Sequence, residues 1–363
     1  MSYSPERRAR MAFARLTEPC SKQARVEIND FGYVDALARV LAGQSRLSGT
    51  VCGRAQQLDL DREVRATTLC QSRVVIPGDP DWPTGFDDLE HPPHCVWVRG
   101  GGRLSDLAAV GVAVVGARGS TSYGNHVAAE LGYGLTAQGA VVVSGAAFGI
   151  DAAVHRGALA ADGPTVAALA CGVDRAYPAA HADLLDQIVR DGLIVSEAPP
   201  GALPLRSRFL ARNRLIAAAS RGTIVIEAGR RSGSLNTAGW AVTLGRPVGA
   251  VPGPVTSAAS AGTNAWIREH AAELVTATDE VIELVGEMGA DLAEEPRGPR
   301  RPEDDLDPTE MAVWEAVSPH RVRQAQQVAV DAGVDLAQCQ VLLAGLEVRG
   351  FVGRDHHGWR RTP

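Results

Sequence analysis

Between Leu203 and Arg231 the chain places seven arginines, Arg206, Arg208, Arg212, Arg214, Arg221, Arg230 and Arg231, against one acid, Glu227. Guanidinium groups nearly unopposed by carboxylates are the local footprint of a polyanion site, because each phosphate they neutralise releases counterions. Phe209 stands among them, and an aromatic face lets unpaired bases stack whatever their sequence. The plainer alternative is a solvated helix face with Phe209 in the core. Other turns also suit an anion. In Gly116-Ala117-Arg118-Gly119-Ser120 small residues allow the backbone to approach a phosphate, and Arg118 adds a forked cation beside it. Ser144 and Gly145 line the same crevice if their strand lies alongside, with Asp151 as a helix N-cap. Arg231-Ser232-Gly233 offers a further set of amide donors. Turns of this composition also serve close packing alone.

Groups for covalent or acid-base chemistry are sparse. The chain has no G-x-S-x-G elbow, no G-x-x-x-x-G-K-[ST] loop and no G-x-G-x-x-G fingerprint. His155 lacks an obvious cysteine or acidic partner and reads as structural. Glu227 reads as a general base, a cap or an arginine's partner. Six cysteines are scattered without metal-ligand spacing, so no metal and no cofactor are expected.

The elements that position these residues show in the hydrophobic pattern. From Ala109 to about Val285, short β-branched runs (112–115, 141–143, 165–169, 193–195, 223–226 and 248–251) alternate with longer helical windows. That pattern predicts a doubly wound α/β domain with a parallel sheet covered on both faces, its ligands beyond the carboxyl ends of the strands. Residues 1–70 carry helical spacing and predict a small helical domain; 71–102 read as a strand-loop-strand connector rich in proline. Residues 286–308 are polar and proline-rich, as in a linker. Helical windows at 309–316 and 336–350, then a hairpin near 351–360, predict a winged-helix variant over 309–363.

Net charge is −6, so a nucleic-acid surface has to come from local clustering. Lys22 is the only lysine, which leaves the cationic chemistry to arginine, whether by selection for phosphate or by a genome-wide codon bias. No signal-peptide pattern and no apolar run of membrane-spanning length are visible, which predicts a cytoplasmic protein.

Taken together, Val115-Gly116-Ala117-Arg118, Ser144-Gly145 through Gly149-Ile150-Asp151, Cys171-Gly172-Val173-Asp174 with Tyr177-Pro178, Ser196-Glu197, Phe209 with Arg212-Asn213-Arg214, Glu227-Ala228 with Ser232-Gly233-Ser234-Leu235, and Ala250-Val251-Pro252-Gly253 resemble the DprA/Smf family. The resemblance covers about half the chain in the correct order. It implies an extended Rossmann-like fold that binds single-stranded DNA without catalysis, forms homodimers and helps load the RecA recombinase. Arg118 matches the family's phosphate-pocket arginine, and Arg206 stands where a basic residue commonly precedes Phe209. Arg212, Asn213 and Arg214 match a string that holds the pocket. The expected site is therefore Gly116, Arg118, Ser144, Gly145, Arg206, Phe209, Arg212, Asn213, Arg214, Arg231, Ser232 and Gly233. Phe148 departs from a position that is often basic in the family, and His181 from a frequent asparagine. The N-terminal region resembles the family's SAM-like accessory domain only loosely, without its glycine hairpins.

Two other functions compete. A Rossmann-like nucleotide phosphoribohydrolase of the LOG type would use a carboxylate in the same crevice, although its Pro-Gly-Gly-x-Gly-Thr string is missing. A winged-helix regulator would instead bind DNA through the C-terminal segment.

Overall fold

A computed structural model describes residues 3–270, 272–286 and 301–362. Four helices open the chain, α1 (Pro5–Leu16), α2 (Lys22–Leu41), α3 (Gly49–Ala55) and α4 (Leu60–Leu69). Strands β1 (Ser72–Val75) and β2 (Val96–Gly100) follow as an antiparallel pair, then α5 (Leu104–Ala109). Strands and helices then alternate: β3 (Gly111–Val115), α6 (Ser122–Ala137), β4 (Val141–Ser144), α7 (Ile150–Ala160), β5 (Thr165–Leu169), α8 (Ala182–Asp191), β6 (Leu193–Ser196), α9 (Arg206–Ala218), β7 (Gly222–Val225), α10 (Ser234–Thr243), β8 (Val248–Ala250), α11 (Ala261–Glu269), β9 (Glu273–Leu274) and α12 (Thr278–Val285).

The apolar runs read from sequence become one nine-stranded sheet in the order β1-β2-β6-β5-β4-β3-β7-β8-β9. Every strand from β3 to β8 is buried along its length, as a sheet covered on both faces requires. β3 is central and pairs in parallel with both β4 and β7, in register from Val112 opposite Gly222 to Val115 opposite Val225. The chain proceeds outward from β3 through β4, β5 and β6, then crosses back to β7. The connections after β3 and β7 therefore diverge and leave a crevice at the carboxyl end of the sheet. The Rossmann-like expectation holds, with an antiparallel pair added beside β6.

Helices α1–α4 have their own core, where Phe13 meets Tyr33 edge-on at 5.8 Å. Gly32, at φ 75°, bends α2 where a side chain would be strained. These helices are also tied to the connector. The Tyr33 hydroxyl lies 2.9 Å from His94 Nδ1, Arg10 donates to the His94 carbonyl and Arg25 to that of Pro92. Trp97, fully buried on β2, donates its indole N–H to Thr67 of α4. The described residues of 1–70 thus share one compact unit with the sheet, a unit whose described residues end at Gly286.

The second unit contains α13 (Pro308–Ala316), α14 (Ala325–Ala332), α15 (Leu336–Val348) and the antiparallel hairpin β10 (Val352–Asp355) and β11 (Gly358–Arg361). Arg323 adds a bridge to Trp359. The sequence pattern misses α14 because it has only eight residues and turns just Val328 and Ala329 into the core, too few for a helical period to show. Of the expected linker, residues 287–300 lie outside the described residues, and Pro302–Asp305 form a short 3-10 helix. No single helix among the described residues is long and apolar enough to cross a membrane.

His94, His155 and His181 are buried in the first unit. Thr165 Oγ1 donates to the Val142 carbonyl and so accepts from His155 Nδ1 at 2.8 Å; His155 Nε2 is left buried without a partner. Burial, reinforced by nearby arginines, depresses both His94 and His155 to about 3. Each is neutral in the folded chain, whereas the unfolded chain takes up a proton near 6.5. Their contribution to stability is therefore complete above the unfolded value and declines as pH falls toward the folded one, by about 1.4 kcal/mol per pH unit for each histidine. Urea denaturation at about pH 7.5 and pH 5.5 is expected to show a loss about 1.4 kcal/mol smaller in His155→Leu than in the parent chain. Equal losses in the two proteins would contradict the assignment.

Candidate nucleic-acid interface

The crevice at the β3/β7 switch point is a cavity of about 750 Å³. Its first wall is the turn after β3. Ala117 N–H donates to the Glu227 carbonyl at 2.6 Å, which stitches the two diverging loops together at their roots. The Glu227 carboxylate accepts from Thr121 N–H (2.8 Å) and Oγ1 (2.7 Å), and Thr121 Oγ1 in turn caps α6 through Gly124 N–H. A side chain at Gly124 would collide with that carboxylate, so glycine is required there. Glu227 is consequently buried and does not line the cavity. The general-base reading thereby loses its carboxylate to a cap.

The second wall is α9. Phe209 faces the cavity, with the Arg118 guanidinium carbon 4.7 Å from its ring centre and Tyr177 at 5.6 Å. Arg206 stands one turn earlier on the same helix, exposed. Arg212 is buried at the floor, where Nη1 donates to the carbonyls of Gly145 (2.8 Å) and Ala168. Asn213 reaches the other way and donates to the Gly233 carbonyl at 3.1 Å, fixing the Arg231-Ser232-Gly233 turn. Nine of the twelve expected residues thus converge on one cavity: Gly116, Arg118, Arg206, Phe209, Arg212, Asn213, Arg231, Ser232 and Gly233.

Three do not. Ser144 is buried and spends its hydroxyl on the Val114 carbonyl at 2.6 Å. Gly145 packs under Arg212, where a Cβ would strike the guanidinium, and lines only an adjoining slot. Arg214 points away from the cavity into a buried pair, both of its terminal nitrogens 2.8 Å from the Glu197 oxygens. Two α-helical residues apart, Arg212 and Arg214 cannot face the same way. Arg212 also departs from the phosphate-neutralising role read for it in the sequence, since its guanidinium is occupied with strand-end carbonyls.

The unopposed cationic run is smaller in space than in sequence. Arg208 meets Glu18 bidentately, and Arg221 donates to the Ala109 carbonyl. Arg118, Arg206 and Arg231 are exposed at the cavity and form no ion pair among the described residues. Asp151 is the one acid on the cavity wall among the described residues. Burial raises its carboxyl above the usual range against the pull of Arg212 and Arg118. Arg212 is lowered by burial, with Asp151 opposing. At Arg214 burial also acts downward, and the Glu197 charge overcomes it, so that its pKa is raised. Tyr177 was not singled out as a site residue in the sequence, although the Tyr177-Pro178 pair was visible there; its loop reaches Phe209 only through the tertiary fold.

The division between buried and free arginines is measurable. Arg214→Ala strands the Glu197 carboxylate and is expected to cost about 3 to 5 kcal/mol in chemical denaturation. Arg231→Ala is expected to stay within about 0.5 kcal/mol.

A family model described as DNA recombination-mediator protein A matches residues 73–286. The chain is 42% identical to a protein of Mycobacterium tuberculosis (strain H37Rv) named as a DNA processing protein DprA, over 98% of this chain and 94% of that one. It is similar to the X-ray structure of DNA processing protein A from Streptococcus pneumoniae, with a TM-score of 0.65 and 31% identity over 78% of this chain and 98% of that one. DNA processing protein A from Helicobacter pylori, solved for its single-stranded DNA binding mode, gives a TM-score of 0.53 at 30% identity over 59% of this chain and 94% of that one. Its near full-length relative, its family match across the whole sheet and its fold agree: this chain belongs to the DNA recombination-mediator protein A family, DprA/Smf.

Proposed function

We propose that the chain binds single-stranded DNA in the crevice at the β3/β7 switch point and acts in recombination without catalysing a reaction. The observation that carries this reading is the convergence of Arg118, Arg206 and Arg231, none of them in an ion pair among the described residues, on the cavity that the ring of Phe209 faces. Family membership and the single-stranded DNA binding of the Helicobacter pylori relative support the same ligand.

In this reading the backbone phosphates meet the three free guanidiniums and the amides of the glycine-rich turns. In the free protein Arg118 covers the Phe209 ring. An incoming phosphate draws that guanidinium off the ring, at a cost of about 0.5 to 1 kcal/mol for an exposed cation–π contact, and a base takes the vacated face. A duplex hides the base faces the ring needs, so preference for unpaired strands follows. Arg212 and Asn213 position the walls, Arg212 from below and Asn213 through the Gly233 carbonyl.

Family resemblance extends the proposal to a cytoplasmic homodimer that hands the strand to the RecA recombinase. The C-terminal unit is read as a winged helix, on the strength of three helices followed by a hairpin, and as an accessory to binding.

Arg118→Glu combined with Arg206→Glu is expected to abolish retention of oligo-dT in a gel shift while the chain stays folded by circular dichroism; unchanged affinity would defeat the reading. Three phosphate contacts predict that log K falls with log[salt] at a slope of about −2. A chain ending at Gly286 is expected to keep its affinity for oligo-dT, whereas a regulator that binds through the C-terminal unit would lose it.

A further inference from the structure

Phe148 is a large apolar side chain that stands 48% exposed beside the cationic cavity. The backbone puts it there. The loop from Gly145 to Gly149 packs directly on the turn after β3: Ile150 N–H donates to the Ala117 carbonyl at 3.2 Å, and a Cβ on Gly149 would strike the carbonyls of Ala117 and Arg118. Phe148 is therefore locked next to Arg118 by main-chain contacts that its own side chain does not make.

The ring is held on its other side as well. Buried His181 stands edge-on to it at 4.7 Å between ring centres. The Ala146 carbonyl, which can only accept, takes its hydrogen bond from His181 Nδ1 at 3.0 Å, so His181 is oriented by the same loop that carries Phe148. Phe148, Tyr177 and Phe209 line one slot, which shares Arg118, Tyr177, Phe209 and Arg212 with the main cavity and so adjoins it. The slot, about 40 Å³, is smaller than a base, so what faces a nucleotide is the exposed part of the Phe148 ring near the Arg118 guanidinium, where a base can stack while its phosphate rests on the cation.

We infer that Phe148 is a second base-stacking position, which takes the base next to the one at Phe209 and gives this chain a stacking contact where a cation would supply only charge. This rests on the proposed single-stranded DNA site and names what one edge of it recognises. A ring fixed by His181 before the strand arrives loses little side-chain freedom on binding, so more of the stacking energy is available as affinity.

The test compares oligo-dT with an abasic oligonucleotide of equal length, which keeps the phosphates and lacks the bases. Phe148→Ala is expected to weaken oligo-dT binding about tenfold, within the range for loss of one stacked base. Its affinity for the abasic strand is expected to match that of the parent chain. Phe148→Trp is expected to retain oligo-dT affinity. Relative to Phe148→Ala, Phe148→Lys is expected to raise affinity for both strands and to steepen the salt slope by about 0.7. If Phe148→Ala binds oligo-dT as tightly as the parent, or loses equally on both strands, the inference falls. The Arg118→Glu, Arg206→Glu chain separates the two levels: loss of both oligonucleotides there, with no effect of Phe148→Ala, removes the stacking position and leaves the site standing. Full binding by that double variant removes the site itself.

Discussion

A guanidinium taken out of water has to be given acceptors, and the burial of Arg212 is the constraint around which the crevice is organised. Its Nη1 holds two carbonyls at the carboxyl ends of β4 and β5, which pins α9 across the sheet. The next two residues extend the clamp in other directions: Asn213 to the turn before α10, Arg214 to Glu197 after β6. One turn of helix thus anchors three separate loops. Buried polar groups of this kind are costly when left unsatisfied and rigid when satisfied, so the loops that bear Phe148 and Arg231 are placed by contacts that do not depend on a ligand.

The sheet was legible because its signal is local. A strand buried on both faces has to be apolar at every position, and runs such as Val112–Val115 and Thr223–Ile226 report it directly. From the alternation with helices followed a doubly wound sheet with its ligands beyond the carboxyl ends of the strands; the switch point needed the strand order. Pairing between charges was not legible. Glu18 and Arg208 are far apart in the chain, as are Glu197 and Arg214 relative to the turn that separates them, and no periodicity announces that they meet. The string Arg206 to Arg214 therefore read as one cationic surface, whereas the helix distributes it among an open cavity, an exposed ion pair, a buried floor and a buried pair. Ser144 was misplaced for a related reason: a strand-end hydroxyl points up or down according to register, and here the Val114 carbonyl claims it.

Glu227 shows how the same residue type changes meaning with geometry. At a strand end beside a crevice a carboxylate invites a role in acid-base chemistry, which requires that it reach the ligand. Here Thr121 takes both of its oxygens, and the carboxylate packs against Gly124, where a side chain would collide with it. Its negative charge instead faces the amino end of α6, a favourable placement for an acid. The carboxylate thereby stabilises the turn that presents Arg118 without adding a negative group to the cavity wall, where only Asp151 stands among the described acids.

This arrangement resolves how a chain with a net charge of −6 presents a cationic site at all. At physiological ionic strength charges beyond about 8 Å are largely screened, so a phosphate responds to its immediate neighbours and hardly to the total. The relevant quantity is which arginines have been neutralised at close range. Glu18 and Glu197 each neutralise an arginine whose direction is wrong for the cavity, and the main-chain carbonyls of Gly145, Ala168 and Ala109 take two more without adding charge. Arg230 is left exposed outside the cavity lining, and Arg118, Arg206 and Arg231 face the crevice. In the proposed binding mode, aromatic rings beside that set add a contribution that salt does not screen, so binding does not rest on charge alone.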